Sequence, residues 1–301
     1  MHRIDGFIDI NEFLNIDQLS DFKASELLNY LKRANPTVNI EKNDGVSQFV
    51  FSFIFNGEKY YFKYDSFASP YNELLAYFVA NDLNISSVPY DLAKIGNFKG
   101  VISKDFKVAD AKYISGMELL KQFYDDPRYW QYNNLEDIWD CLEEYYRNIT
   151  NHREIIKELM YQLVKMFVFD ILTGQVDRHG HNWGIVEYAN GKIELQPIID
   201  NSRIFMDKPD LLVIQMNANK KNIFMADSLE YYLDVSSKEF RDLFKDSLWV
   251  ISEENLVSIF SRIERQTNTK IPDEIKENYR LKFRDYYNFF ERELGYKQNI
   301  L

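Results

Sequence analysis

A single cysteine, Cys141, leaves this 301-residue chain without an intrachain disulfide, which suits a reducing compartment. No window approaches the roughly 18 uninterrupted apolar residues of a spanning helix, so no membrane insertion is expected. Arg3, Asp5 and Asp9 interrupt the N-terminus, which therefore lacks the apolar core of a signal peptide. The expectation is a cytoplasmic protein, with non-classical secretion left open. Basic residues are in deficit: 36 Lys+Arg stand against 47 Asp+Glu, a net charge of −11, and no basic run occurs. Such a balance offers no footprint for duplex nucleic acid or an anionic membrane, so direct contact with either is not expected. A locally positive pocket stays compatible with it. The chain also has no Gly-x-x-x-x-Gly-Lys-Ser/Thr, which removes a Walker-type NTPase.

Glycine (11) and proline (7) are scarce, while hydrophobic residues reach 46%, with 23 Phe and 21 Tyr. That composition folds, and at this length it fills one large domain or two lobes. Phe49 to Phe55, Asn56-Gly57 and Lys59 to Tyr64 read as a β-hairpin, because Asn-Gly tolerates the positive φ of a tight turn. Ser69-Pro70 then opens a helix carrying Glu73, Leu74, Tyr77, Phe78 and Asn81. Val88-Pro89 breaks the chain before short strands at Leu92 to Ile95 and Gly100 to Ser103. Beyond about residue 108 the texture is helical. Ile156, Leu159, Leu163, Phe167 and Ile171 stripe a helix ending near Thr173-Gly174, and Pro272-Asp273-Glu274 opens another. Cys141 falls in the helix-like stretch Leu135 to Arg147 as an inert thiol. Asp125 to Tyr132 and Met206 to Lys220 read as loops. The expected architecture is α+β and bilobal, with a strand-rich lobe over residues 1–107 and a helical lobe over 108–301.

The chemistry concentrates in Asp177-Arg178-His179-Gly180-His181-Asn182, followed by Asp200 after Pro197-Ile198-Ile199. Phosphoryl transfer requires an oriented nucleophile and charge neutralised on the phosphates. Asp177 has the position of the base, and Asn182 and Asp200 offer the hard oxygen ligands that suit Mg²⁺. The spacing works if Gly184 to Gly191 and Lys192 to Ile199 form a hairpin turned at Asn190-Gly191, which returns Asp200 to Asn182. Lys63 closes a strand and Glu73 stands on the next helix, as in a phosphate-contacting Lys held by a Glu. Asn43-Asp44-Gly45-Val46-Ser47-Gln48 is a polar turn able to form an anion nest, and Val101 to Phe106 would meet adenine. His179-x-His181 also admits a zinc-site reading.

Together these residues resemble the HipA-like serine/threonine kinases, over residues 45 to about 205. The resemblance rests on Asp177-Arg178-His179 with Asn182, Asp200, Asn72-Glu73-Leu74-Leu75 and Phe62-Lys63. It implies a bilobal protein-kinase-like fold, ATP with Mg²⁺, and transfer to a Ser or Thr of a protein substrate. In that frame Asp177 is the catalytic base, Asn182 and Asp200 are the metal ligands, and Lys63, paired with Glu73, contacts phosphate. Gly45, Val46, Ser47, Gln48, His179 and His181 would line the phosphate side, and Ser103, Lys104 and Asp105 the hinge. Ser47 would be an autophosphorylation site, and an antitoxin partner is a further possibility of the toxin-like branch. The chain departs from the family at Gln175, where an Asn is usual. Two other readings stand beside this one: a kinase-fold enzyme acting on a small molecule or lipid headgroup, and a nucleotide-binding pseudokinase.

Overall fold

Alternating aromatics build the first sheet. Strand β4 (Gln48–Phe55) sends Phe49, Phe51 and Phe53 to one face, where each is fully buried, as period-two geometry requires. In the computed structural model, which describes residues 3–14, 23–43, 48–125, 135–175, 177–206 and 238–298, seven strands form this sheet. They are β1 (Arg3–Ile4), β2 (Phe7–Asp9), β3 (Asn39–Asn43), β4, β5 (Glu58–Asp65), β6 (Asp91–Ile95) and β7 (Phe98–Lys104). Their order is β1-β2-β6-β7-β5-β4-β3. Asn56 (φ 52°) and Gly57 (φ 80°) make the β4–β5 turn, the left-handed pair expected of Asn-Gly.

Helices α1 (Ile10–Leu14) and α2 (Ala24–Ala34) cover the aromatic face. Their Ile10, Phe13, Leu27, Leu28 and Leu31 join the phenylalanines in a separate core. Neither helix, nor the strands before β4, was foreseen from the sequence. The elements at residues 3–14 are too short to show a period, whereas α2 carries one in Ala24, Leu27, Leu28 and Leu31 that was passed over.

The other face meets α3 (Tyr71–Asp82) and the second half of the chain. Ser69 Oγ accepts the Tyr71 N–H at 3.3 Å, so it acts as the cap although the regular helix starts two residues later. The second half contains β8 (Ala111–Ser115), α4 (Gly116–Phe123), α5 (Leu135–Tyr146), α6 (His152–Thr173), β9 (Gly184–Tyr188) and β10 (Ile193–Leu195). Helices α7 (Lys238–Ser247), α8 (Glu253–Thr267) and α9 (Asp273–Gln298) complete it. The chain leaves the first sheet at Lys104 and enters a second at Ala111, ordered β10-β9-β8. Strand β8 adds to a second half that was expected to be helical apart from the hairpin of residues 184–199. Its five residues are held by pairing with β9, from Ala111↔Tyr188 to Ser115↔Gly184, a long-range contact no local pattern reports.

Helix α6 ends at Gly174, whose φ is 65°. A Cβ there would also stand 2.1 Å from the Tyr286 hydroxyl, so this position needs glycine twice over. Cys141 is buried in α5, and burial pushes its thiol up to about 12. Among the described residues no helix is long and apolar enough to cross a membrane. The loops read at Asp125 to Tyr132 and Met206 to Lys220 lie largely outside the described residues, and Gly45, Val46 and Ser47 lie wholly outside them.

Candidate active site

The path of the chain after β10 decides the site. The hairpin is shorter than the sequence suggested: β10 stops at Leu195, and residues 196–199 then cross to another segment. Ile198 bridges Ser87 in parallel, its N–H donating to Ser86 O at 2.8 Å. That crossing delivers Asp200, in left-handed backbone (φ 58°), to the end of β5.

There Lys63 Nζ donates to Glu73 Oε1 at 2.7 Å, to Ser202 Oγ at 3.0 Å and to Asp200 Oδ1. Glu73, buried on α3, uses Oε2 to accept the Asn201 N–H at 3.0 Å. Burial alone would lower the Lys63 ammonium, but Asp200 and Glu73 together hold it well above the ordinary lysine value. The Lys63 charge depresses the Asp200 carboxyl to about 2 despite its burial. Glu73 moves the other way, because its burial outweighs the pull of Lys63. The lysine, glutamate and aspartate singled out in the sequence are therefore one ionic cluster.

The loop after α6 is fastened from beneath. Gln175, fully buried, accepts the Asp177 N–H at 3.2 Å through Oε1 and donates Nε2 to Asp200 O at 3.0 Å. This is the bridge that its longer side chain builds in place of the usual Asn. Arg178, also fully buried, donates to Asp170 on α6, to Asn182 O (3.1 Å), to Ile199 O (2.9 Å) and to Asn201 Oδ1 (2.6 Å). One guanidinium thus ties the loop of residues 177–182 to the segment that carries Asp200. Asn182 Nδ2 donates to Asp177 O at 2.9 Å, so its Oδ1 is the atom left for another partner. Asp177 is half-buried and lines the cleft, and its carboxylate has no hydrogen-bond partner among the described residues.

His181 lines the same cleft, whereas His179 is half-buried and accepts the His181 N–H through Nδ1 at 3.3 Å. Burial lowers His179 below the ordinary histidine value although Asp177 and Asp200 oppose it, which keeps the ring neutral near pH 7. Among the described residues no three of His, Cys, Asp and Glu are grouped as a metal site. The zinc reading therefore lacks a third ligand there. A magnesium ion fits better: Asn182 Oδ1 and the Asp200 carboxylate are hard oxygen donors, and Mg²⁺ takes few protein ligands when phosphates supply the rest.

The cleft encloses about 480 Å³ between the two sheets, a volume in the range of small-molecule sites. Gln48 lines it while donating to Asp65 Oδ2 at 2.6 Å. Ser103, Lys104 and Asp105 line the opposite end. Lys104 is paired with Glu58 at 2.9 Å, and Asp105 accepts the Tyr61 hydroxyl at 3.3 Å and the Lys107 N–H at 3.0 Å. Of the described residues in the sequence-based set, Gln48, Lys63, Ser103, Lys104, Asp105, Asp177, His181 and Asp200 line the cleft, Glu73 bonds Lys63, and His179 and Asn182 stand outside the lining.

Two contributors escaped sequence reasoning, and a third, Asn72, was read only as part of the Asn72-Glu73 motif. Asp170 was the most legible, a lone carboxylate in the apolar run Met166 to Leu172. Asn72 donates to Ser202 O at 2.6 Å and accepts from the Tyr279 hydroxyl of α9, so it positions the segment after Asp200. Lys42 lines the cleft from β3, with no local signal to mark it.

Comparison with known proteins gives a consistent result. The model of the HipA-like C-terminal domain family matches residues 22–271. No curated protein matches the chain. Among solved structures, the proinflammatory kinase CtkA of Helicobacter pylori is similar at TM-score 0.57 and 19% identity, covering 83% of this chain and 92% of that one. HipA in the toxin–antitoxin complex of Shewanella oneidensis with HipB and operator DNA aligns at TM-score 0.44 and 14% identity, over 93% of this chain and 74% of its own. The likeness to CtkA is one of fold, and the fold is that of the kinases.

Proposed function

The chain belongs to the HipA-like C-terminal domain family, and from that premise we propose an ATP- and Mg²⁺-dependent serine/threonine protein kinase. The observation that carries this reading is Lys63 Nζ bridging Glu73 and Asp200 at the cleft floor, with the free Asp177 carboxylate in the same cleft. Lys63 is held to meet phosphate oxygens, and the backbone of Ser103 to Asp105 supplies the hinge edge that meets adenine. Asn182 and Asp200 would hold Mg²⁺, which neutralises phosphate charge when bound.

Asp177 orients the acceptor hydroxyl and takes its proton. The hydroxyl oxygen forms a bond to the γ-phosphorus, and the bond from that phosphorus to the bridging oxygen breaks, leaving ADP. Gln175 and Arg178 keep Asp177 and Asp200 in register, so their contribution is preorganisation. Ser47 autophosphorylation and an antitoxin partner belong to the same reading through family membership. Phosphopeptide mapping and a second chain in native co-purification test them in turn.

The test uses γ-labelled ATP with Mg²⁺ and the pure protein, alone and with a bacterial lysate. Label is expected on the protein itself or on a lysate protein at Ser or Thr, and none with Asp177→Ala or Asp200→Ala. Label confined to small molecules or lipids would move the assignment to the small-molecule branch. Equal labelling by the variants would remove both residues from their roles.

A further inference from the structure

Among the lysines that line the cleft, Lys42 enters from the edge of the sheet. We propose that Lys42 is a phosphate-binding residue of the nucleotide cleft. This inference rests on the kinase reading and adds a residue to it.

The geometry starts from strand register. Lys42 lies opposite Val50, and Val50 lies opposite Lys63. Directly paired residues share a sheet face, so the two lysines flank one valine on the cleft side, and all three line the cleft. A β-bulge makes this possible. Ile40 pairs with Phe51, but the register then shifts, and Lys42 rather than Glu41 meets Val50. Without the extra residue an acid would occupy the row of Lys63. Bulges re-aim side chains beside functional sites in this way.

The displaced acid is fully engaged elsewhere. Glu41 accepts from Ser52 Oγ at 2.6 Å and Asn39 Nδ2 at 3.1 Å, and Lys59 stands 3.5 Å away. Lys42 is exposed and has no ion-pair partner among the described residues.

The charge balance of the floor calls for such a cation. Lys63 faces both Glu73 and Asp200, so one ammonium meets two carboxylic side chains, and Asp177 adds a third acid to the cleft lining. A polyphosphate would enter against net negative charge unless a free cation attracted it. Of the other cations lining the cleft, Lys104 is tied to Glu58 at 2.9 Å and Lys107 stands over the Tyr113 ring at 5.6 Å, while Arg203 reaches only the Met206 sulfur at 3.8 Å and lies outside the strand row of Lys63. The competing explanation is an edge lysine that only discourages strand pairing, because β3 ends the sheet. That role gives no dependence on phosphate.

Calorimetric titration of the full chain with ATP and with adenosine separates the two. Lys42→Gln is expected to weaken ATP about tenfold, as fits one charge-assisted contact partly open to water, and to leave adenosine within about twofold. Lys42→Arg should restore most of the ATP affinity. Unchanged ATP affinity in Lys42→Gln, or an equal loss for adenosine, would overturn the proposal while leaving the kinase reading intact. A wild-type protein that binds adenosine but gains nothing from the phosphates would also overturn it, and one that binds no ATP would remove the kinase reading as well.

Discussion

Arg178 Nη2 lies 2.9 Å from Asp170 Oδ1, and neither side chain has any solvent exposure. The pair joins the end of α6 to the catalytic loop, and through Ile199 O and Asn201 Oδ1 it also holds the segment bearing Asp200. Burial pushes the Asp170 carboxyl up to about 6 even though Arg178 draws it down. A buried ion pair of this kind contributes little over an apolar pair of equal volume, but losing one member strands a charge. Its value here lies in fixing two loops at once.

Arg178→Met should therefore destabilise the protein by about 3–5 kcal/mol, because the Asp170 carboxylate is left unpaired in the core. Adding Asp170→Leu should recover a large part of that loss. Urea unfolding of the two variants measures it, and a double variant no more stable than the single would contradict the buried pair.

Gln175 bridges Asp177 N–H and Asp200 O. Gln175→Leu keeps the volume but orphans both backbone groups, at about 1–3 kcal/mol each. Catalytic turnover should fall more than nucleotide affinity, since Lys63 is not touched. Steady-state kinetics alongside ATP titration would expose the opposite pattern, which would place Gln175 outside the positioning network.

The Asp200 carboxyl titrates near 2 in the folded protein against an ordinary value of 3.8. Its pairing with Lys63 thus stabilises the fold above about pH 3.8 and is lost as pH falls through about 2. Its side chain is 35% exposed, so solvent screening keeps the gain modest. The stability gap between wild type and Asp200→Asn should be constant from pH 7 to 5 and shrink toward pH 2. A gap that widens on acidification would reverse the assigned direction.

Gly100 approaches β5 so closely that a Cβ would lie 2.1 Å from the Lys63 carbonyl oxygen. Backbone cannot yield as a flexible side chain can, so Gly100→Ala should cost about 1–3 kcal/mol and displace Lys63. Thermal unfolding and ATP titration should both register the change. A variant with wild-type affinity and midpoint would show that the sheet absorbs the methyl group.

Much of the site was legible because its residues sit beside strong local signals. Asn56-Gly57 and Asn190-Gly191 announce their turns, Ser69-Pro70 announces α3, and Gly174 ends α6, so Lys63, Glu73, Asp177 and Asp200 each stand a short way from a marked boundary. Strand β8 and the helices of residues 10–34 were not legible in the same way. Helix α1 spans only five residues, α2 carries its apolar period over 11 residues yet lacks a marked boundary, and β8 is stabilised by partners about seventy residues away.

By itself the sequence determined the β4–β5 hairpin, the strands β6 and β7, the helices α3 and α6, the start of α9, and which polar residues fall at their ends, because these follow from period, capping and φ preference within a few residues. Only the tertiary structure decided that Ile198 crosses to Ser87, that Arg178 meets Asp170 in the core, and that a bulge turns Lys42 rather than Glu41 toward Lys63. Those outcomes depend on strand register and long-range packing, where a shift of one residue reverses a face and no short stretch of chain carries the information.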